Sequence, residues 1–275
     1  MLSRQNGTRV EALVPFFMLI FLAESKTMSA EQKPVEPELF ENNKPVFEDI
    51  ADSLMSYLES LPTLEISEIL GISHQLSVKT HNLAYDFPHK NTGYKALYGF
   101  TGEAYRGLDV SSLSSEAIER AEKNLKIISS VYGLLNASDI IKPYRCEFNK
   151  PIYPDSKTAI NIFKPKLTVE VVKKIKNNGI KDIINLLPGD ADKCLDWKII
   201  RAFASVHKVC FQTITQDGKL KTPTTQRLKE MRGTMAREIL NNDIRTFEQL
   251  KEFRSDHFIF SKADSKNGLP VFITN

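Results

Sequence analysis

The 275-residue chain carries a net charge of only +3, with 41% hydrophobic and 26% charged residues. That is enough apolar content for a substantial core, and it excludes both a disordered, highly charged chain and a strongly basic nucleic-acid binder identifiable from net charge alone. The three cysteines, Cys146, Cys194 and Cys210, form no CxxC pair and no even framework, which points to a reducing compartment without structural zinc. Among the five histidines only His74 and His81 share a helical face, and seven residues of rise, about 10 Å, is too far for one metal. No metal site and no cofactor is expected.

Residues 1–25 imitate a signal peptide, with Arg4 and Arg9 ahead of the apolar run Leu13–Ala23. The run is too short to span a membrane. In the rival reading Met18-Leu-Ile-Phe-Leu22 is a buried first strand and Ala23-Glu-Ser-Lys-Thr27 the loop at its end. Composition does not separate the two. Pro34 to Pro45 reads as an extended surface connection. Phe47 to Leu58 carries a helical apolar stripe. Leu64–Leu70 and a helix starting at Ser73 are broken apart at Gly71, the outline of a helix-hairpin-helix-like element that offers backbone N–H groups to phosphates. Its flank is acidic, with Glu65 and Glu68, and a plain helical corner is the alternative.

Phe100-Thr-Gly-Glu-Ala-Tyr-Arg-Gly-Leu108 reads as a glycine-bracketed loop presenting Tyr105 and Arg106. Ser114 to Tyr132 is expected to be the longest helix, followed by a glycine turn and a second aromatic–arginine pair, Tyr144-Arg145. Leu167 to Asn178 is helical, Lys181–Leu187 a buried strand with Asn185 near its end, and Asp190–Trp197 helical. His207–Thr215 and the residues from Lys219 flank a hairpin turn at Gln216-Asp-Gly218. Gln226–Leu240 is an amphipathic helix in which Gly233 costs about 1 kcal/mol relative to alanine; close approach of another backbone is the simplest reason for it. Thr246–Phe253 is a short capped helix, and Phe258–Phe260 and Leu269–Phe272 pair around Asn267-Gly268.

Interleaved strands and helices predict a single α/β domain with a mixed central sheet surrounded by helices. Charge is unevenly spread: acids dominate from Glu31 to Glu68, lysines and arginines from Lys142 to Lys181 and again from Lys219 to Arg237. No Walker loop, Rossmann fingerprint or GxSxG elbow is present. What remains is a set of Lys, Arg, Tyr and Asn residues at strand ends and turns. Lys26, Arg106, Lys142, Arg145, Lys229, Arg232 and Arg237 are candidate phosphate contacts. Thr27, Tyr105, Tyr144 and Asn185 are candidate linings of one cleft, with Gly71 and Ser73 in the hairpin. The same side chains suit a nucleic-acid backbone or a phosphorylated, nucleotide-like small molecule.

At these residues the chain resembles the YaaA peroxide-stress protein family. Met18-Leu-Ile-Phe-Leu-Ala-Glu-Ser-Lys-Thr27 is similar to the family's MLILxSPAKT opening, and Phe100–Leu108 to its FxGxxYxGL loop. Val131-Tyr-Gly-Leu-Leu through Lys142-Pro-Tyr-Arg145 resembles LYGxLRPxDxxxPYRLEM, and Ile184-Asn-Leu186 resembles the INLAS strand. Lys229-Glu-Met-Arg-Gly-Thr-Met-Ala-Arg237 resembles KxxRGxMxR, and Asn267-Gly-Leu-Pro-Val-Phe272 also fits. Departures are Ala23-Glu24 for Ser-Pro, Asn136-Ala137 for Arg-Pro, Phe163-Lys-Pro-Lys166 for FWGD, and Leu187-Pro-Gly-Asp190 after Asn185-Leu186. The resemblance implies that residues 1–17 precede the fold as an extension and that the family domain covers 18–275. It also implies a cytoplasmic protein with no membrane partner that binds DNA through a basic cleft and the hairpin element and limits peroxide and iron damage. An enzyme acting on a nucleotide-like ligand in the same cleft is the alternative, and whether any reaction is catalysed stays open.

Overall fold

The computed structural model describes residues 18–28, 43–89, 93–266 and 269–274. The expected connection over Pro34–Pro45 falls mostly outside them, as do residues 1–17 and the Asn267-Gly268 turn. In chain order the elements are β1 (Met18–Ala23), α1 (Glu48–Ser60), α2 (Thr63–Leu70), α3 (His74–Asp86), β2 (Tyr94–Lys95), α4 (Ala96–Gly99), α5 (Glu103–Leu108) and α6 (Ser115–Asn124). There follow β3 (Leu125–Ser129), β4 (Gly133–Asn136), β5 (Ile140–Ile141), α7 (Ala159–Asn178), β6 (Asp182–Asn185), α8 (Gly189–Asp192), α9 (Trp197–Ile200) and β7 (Ser205–Lys208). The chain closes with β8 (Cys210–Ile214), β9 (Leu220–Lys221), α10 (Thr225–Asn241), α11 (Phe247–Glu252), β10 (Phe258–Lys266) and β11 (Leu269–Thr274).

The fold is mixed α/β. A central sheet runs in the order β4-β3-β1-β6-β7, and a smaller one in the order β10-β11-β8-β9. In the central sheet β3, β1, β6 and β7 are parallel and β4 is an antiparallel edge. Every residue of β1 is buried, as expected of a central parallel strand covered on both faces. This is the strand that the apolar run Met18–Leu22 predicts. One continuous apolar core links it to Leu54, Phe163, Met235 and Phe272.

Four expectations need correcting. The helix predicted from Ser114 to Tyr132 ends at Asn124, and Leu125–Ser129 is β3. The four-residue spacing Ala117, Ala121, Leu125 continues the helical stripe on paper, but a short buried apolar run fits either structure. Here it pairs with β1 on one side and β4 on the other. Lys126 survives inside that strand because its Nζ donates to Lys123 O and Asn136 Oδ1, each at 2.9 Å. The segment read as a loop around Tyr105 is instead α5. Helix α7 also starts earlier than predicted, at a Thr158–Asn161 capping box, and carries Pro165 inside it. The helix expected over Asp190–Trp197 is reduced to the single turn α8, which ends at Asp192, and a second turn, α9, begins only at Trp197, capped by the Asp196 side chain.

Short α5 is locked against α10 at backbone distance. A Cβ on Gly233 would overlap the Ala104 carbonyl oxygen and lie 2.6 Å from Leu108 N, and one on Gly107 would overlap the Glu230 carbonyl oxygen. The close approach inferred for Gly233 is therefore real, and glycine is required on both helices. Gly233→Ala should lower stability by about 3 kcal/mol or more through overpacking, measured by urea unfolding; a loss under about 0.5 kcal/mol, the scale of an ordinary surface change, would contradict this packing.

Candidate functional site at the strand ends

The chain leaves β1 for the β3 side of the sheet and leaves β6 for β7 on the other. The carboxyl ends of β1 and β6 are therefore the topological switch point, the place where open α/β sheets form a ligand crevice. The residues gathered there come from several elements. Ala23-Glu24-Ser25-Lys26-Thr27 follows β1, Ser129-Ser130 ends β3, Asn185 ends β6, Lys208 ends β7, and Asp192 lies on α8.

Two of the predicted tyrosines converge on the end of β1. Tyr105 Oη donates to Ala23 O at 3.2 Å, Tyr144 Oη donates to Glu24 Oε2 over a very short contact, and both rings pack on Phe100. Ser129 Oγ lies 2.7 Å from Tyr144 Oη. Glu24 as a residue is half-buried, but its carboxyl sits below the surface. Burial pushes its pKa up from 4.5 to about 7 against the lowering effect of hydrogen bonds from Ser130, Tyr144 and Ser129. Ser130 Oγ is close enough to help lower it, yet makes no well-aligned hydrogen bond and is fully buried. Asn185 Nδ2 donates to Asp192 Oδ1 at 2.7 Å, and Lys208 Nζ holds Asp192 Oδ2 at 2.5 Å. Asp192 also acts on Arg232 of α10, whose guanidinium pKa is lowered by burial and partly restored by that carboxylate.

The remaining predicted residues scatter more widely. Lys26 pairs with Glu147 at 2.7 Å, and Arg145 Nη1 donates to Lys26 O at 3.4 Å, so both stand at the rim. Thr27 is exposed beside them. Arg106 turns to solvent and pairs with Glu103. Lys142 Nζ is spent on Phe87 O at 2.8 Å and on the Phe87 ring. Lys229 is exposed. Arg237 lies in a separate cluster with Asp109, Glu238 and His257. Gly71 adopts φ 64° and closes α2, and Ser73 caps α3 through Leu76 N, so two helices do meet at a tight glycine turn. A Cβ built on Gly71 would lie 3.2 Å from Lys150 Nζ. Among the described residues no cluster of three His, Cys, Asp or Glu side chains could hold a metal. Glu24, Ser129, Ser130, Asp192 and Lys208 are absent from the residues singled out by sequence, although the change from Pro to Glu24 within the opening motif was a visible signal.

Comparison with known proteins now bears on this arrangement. The family model described as "Peroxide stress protein YaaA" matches residues 18–264. The chain belongs to this family. It is 29% identical over 260 residues to a UPF0246 protein of Shewanella sediminis, covering 93% of this chain and 98% of that one. It is 31% identical over 264 residues to a UPF0246 protein of Clostridium perfringens, covering 93% and 99%. A UPF0246 protein of Aliivibrio fischeri is 29% identical over 264 residues, covering 93% and 97%.

In a family named for peroxide, buried thiols invite attention. Burial and the Glu24 charge push the Cys194 thiol up to about 12 and the Cys146 thiol higher still. Burial of this kind disfavours the thiolate, the form that reacts with peroxide.

Because the Glu24 pKa is raised in the folded state, its neutral form favours folding at low pH, and that stability is lost as pH rises from 4.5 through about 7. Glu24→Gln cannot ionise. Its stability relative to the parent should improve by roughly 2–3 kcal/mol between pH 5 and pH 8, measured by urea unfolding at both pH values; a pH-independent difference would show that the carboxyl is not desolvated.

Proposed function

We propose that this protein acts in the cytoplasm in protection against peroxide by binding DNA, with the strand-end crevice and its rim taking the phosphate backbone. The observation that carries this reading is Arg232. Its guanidinium is partly buried, loses affinity for its proton through burial, and among the described residues makes no hydrogen bond or ion pair, Asp192 acting on it only at longer range. A desolvated, unpaired guanidinium is complementary to an anion, and a fork of N–H donors suits phosphate. Arg145 carries positive charge at the rim and Lys229 adds an exposed cation on α10, while Lys26 and Arg106 are already paired with Glu147 and Glu103. The α2–Gly71–α3 corner supports a second phosphate contact, since the first turn of α3 has backbone N–H groups beyond the one Ser73 caps. Membership of the YaaA peroxide stress protein family supplies the link to peroxide stress. Among the described residues no helix is long and apolar enough to cross a membrane.

A second reading, an enzyme handling a nucleotide-like ligand in the same crevice, is favoured by the raised Glu24 carboxyl beside Tyr144, because groups that titrate near neutrality suit proton transfer.

Affinity for a labelled duplex should fall steeply with salt, as backbone neutralisation releases counterions. Arg232→Gln should weaken binding alike across sequences and reduce the slope of log K against log salt by about 1. Arg237→Gln, whose side chain already has acidic partners, should change the slope much less. No salt-dependent binding, or equal effects of the two variants, would contradict the proposal, and displacement of duplex by a mononucleotide at equal phosphate concentration would favour the second reading.

A further inference from the structure

The opposite end of the central sheet holds a second polar site. Helix α6 gives way to β3 at Leu125, and α7 ends at Asn178, shortly before β6. Between these elements lies a cavity of about 450 Å³ whose walls include Glu122, Lys123, Lys126, Asn136, Lys174 and Asn178. Lys126 is only 4% exposed, and an ammonium so placed ordinarily has a carboxylate partner. Its two hydrogen bonds go instead to neutral oxygens, Lys123 O and Asn136 Oδ1. The first caps the last turn of α6, and the second ties β3 to β4. An ammonium has three donors, and the third has no acceptor among the described residues.

Charge around the cavity is unbalanced. Lys174 stands near enough to Lys126 to weaken its hold on its proton. The neighbouring acids are engaged elsewhere. Glu122 pairs with Lys95 at 3.0 Å. Glu170 is shared between Lys173 and Lys174 at 3.9 and 3.8 Å. Asp139 spends Oδ2 on the Asn136 backbone N–H and Oδ1 on the Asn136 amide. The negative end of α7 is met in part within the fold, since Ile175 O accepts from the N–H groups of Gly179 and Ile180. Two ammonium groups that repel each other from the walls of one cavity, the buried one with a spare donor, are complementary to an anion placed between them.

We propose that this cavity binds a compact tetrahedral dianion of the phosphate class, held between Lys126 and Lys174. Lysine acts on phosphate as a point charge, and a dianion matches two such charges. The site is separate from the strand-end crevice and does not depend on the nucleic-acid reading. The charged groups facing it are Glu122 and Lys123 of α6, Lys126 of β3, Lys174 of α7 with its partner Glu170, and Asp139 behind Asn136. Burial, aided by the Lys174 charge, brings the Lys126 ammonium down to about 8, and burial brings the Asp139 carboxyl up to about 6. Rising pH removes a positive charge from the first and adds a negative charge to the second, so affinity falls as pH rises.

The test uses the full chain and isothermal titration with inorganic phosphate, glycerol phosphate and sulfate, with chloride at equal ionic strength as the reference. Sulfate keeps its charge between pH 6 and pH 9 and reports the pH dependence. We expect sulfate to bind more tightly at pH 6 than at pH 9, and Lys126→Gln to weaken it about tenfold or more, the scale of a hydrogen bond to a charged group. Lys174→Gln should weaken it severalfold, and Lys219→Gln, on the exposed hairpin, should leave it unchanged. Circular dichroism melts report whether each variant is folded; if Lys126→Gln is not, the partly exposed Lys174→Gln decides. Glycerol phosphate binding more tightly than inorganic phosphate supports the site with a phosphate ester as its ligand, and the reverse order supports it with a free ion. Binding no stronger than that of chloride, or unchanged in folded Lys174→Gln, overturns the site and leaves Lys126 as the cap of α6 alone. Lys174→Gln should also leave the salt slope of duplex binding as it is. A lower slope with sulfate binding unchanged would make Lys174 a backbone contact and overturn the site as well.

Discussion

The site depends on the contact between α5 and α10, which meet backbone to backbone through Gly107 and Gly233. Each helix delivers one end of the crevice. Helix α5 fixes Tyr105, whose hydroxyl closes on the last residue of β1, and α10 carries Arg232 towards Asp192 of α8. A methyl group at either glycine would push the helices apart and with them the aromatic wall and the guanidinium. Four to six residues of helix have little intrinsic stability. Helix α5 therefore owes its existence to this contact and to the burial of Tyr105 and Leu108.

Against that rigid frame the strand ends concentrate polar groups in different states of satisfaction. Asp192 is fully engaged by Asn185 and Lys208, and Lys26 by Glu147, so these pairs define the crevice without being free to bind. Glu24 is hydrogen-bonded but has no cationic partner among the described residues, Ser130 Oγ has no well-aligned hydrogen bond, and Arg232 is met by Asp192 only at longer range. Leaving a buried polar group unpaired costs about 1–3 kcal/mol, more for a charge. The close-packed core around them, from Phe21 to Tyr153, supports that cost. Local disadvantage of this kind tends to mark functional positions.

Much of the fold was legible in the residues. The stripe along α1 and the amphipathic pattern of α10 each imply the element found, and Gly233 inside a helix implies close contact; the run at Met18–Leu22 allowed a signal-like segment or a strand, and the family resemblance decided for the strand. The boundary at Asn124 was not legible, because Leu125–Ile128 satisfies helical spacing and only its neighbours β1 and β4 decide for a strand. Helix α7 was read only from Leu167, whereas it begins at Ala159 and carries Pro165, a residue that ordinarily stands in the first turn, within it. For the site, Tyr105, Tyr144 and Asn185 were found because aromatic and amide groups stand out beside turns and strand ends. Glu24 and the Ser129-Ser130 pair were not. A carboxylate near a loop and two serines at the end of an apolar run look like surface residues until the crossing of β1, β3 and β6 brings them together. Basic residues were over-read: Lys142 and Arg237 carry the right charge, but their side chains are committed to Phe87 and to Asp109, Glu238 and His257.

The central claim is that a carboxyl without a cationic partner waits at the switch point of the sheet. Its most direct test is the titration of the Glu24 side-chain carbon, followed by carbon-detected NMR on the ligand-free protein, with Glu24→Gln to assign the signal. The account predicts a midpoint near 7, displaced by hydrogen bonding to Tyr144 and therefore lower still in affinity for the proton than in Tyr144→Phe, where the midpoint should rise. A midpoint near the ordinary 4.5 would mean that the carboxyl is solvated or paired, and would contradict the account.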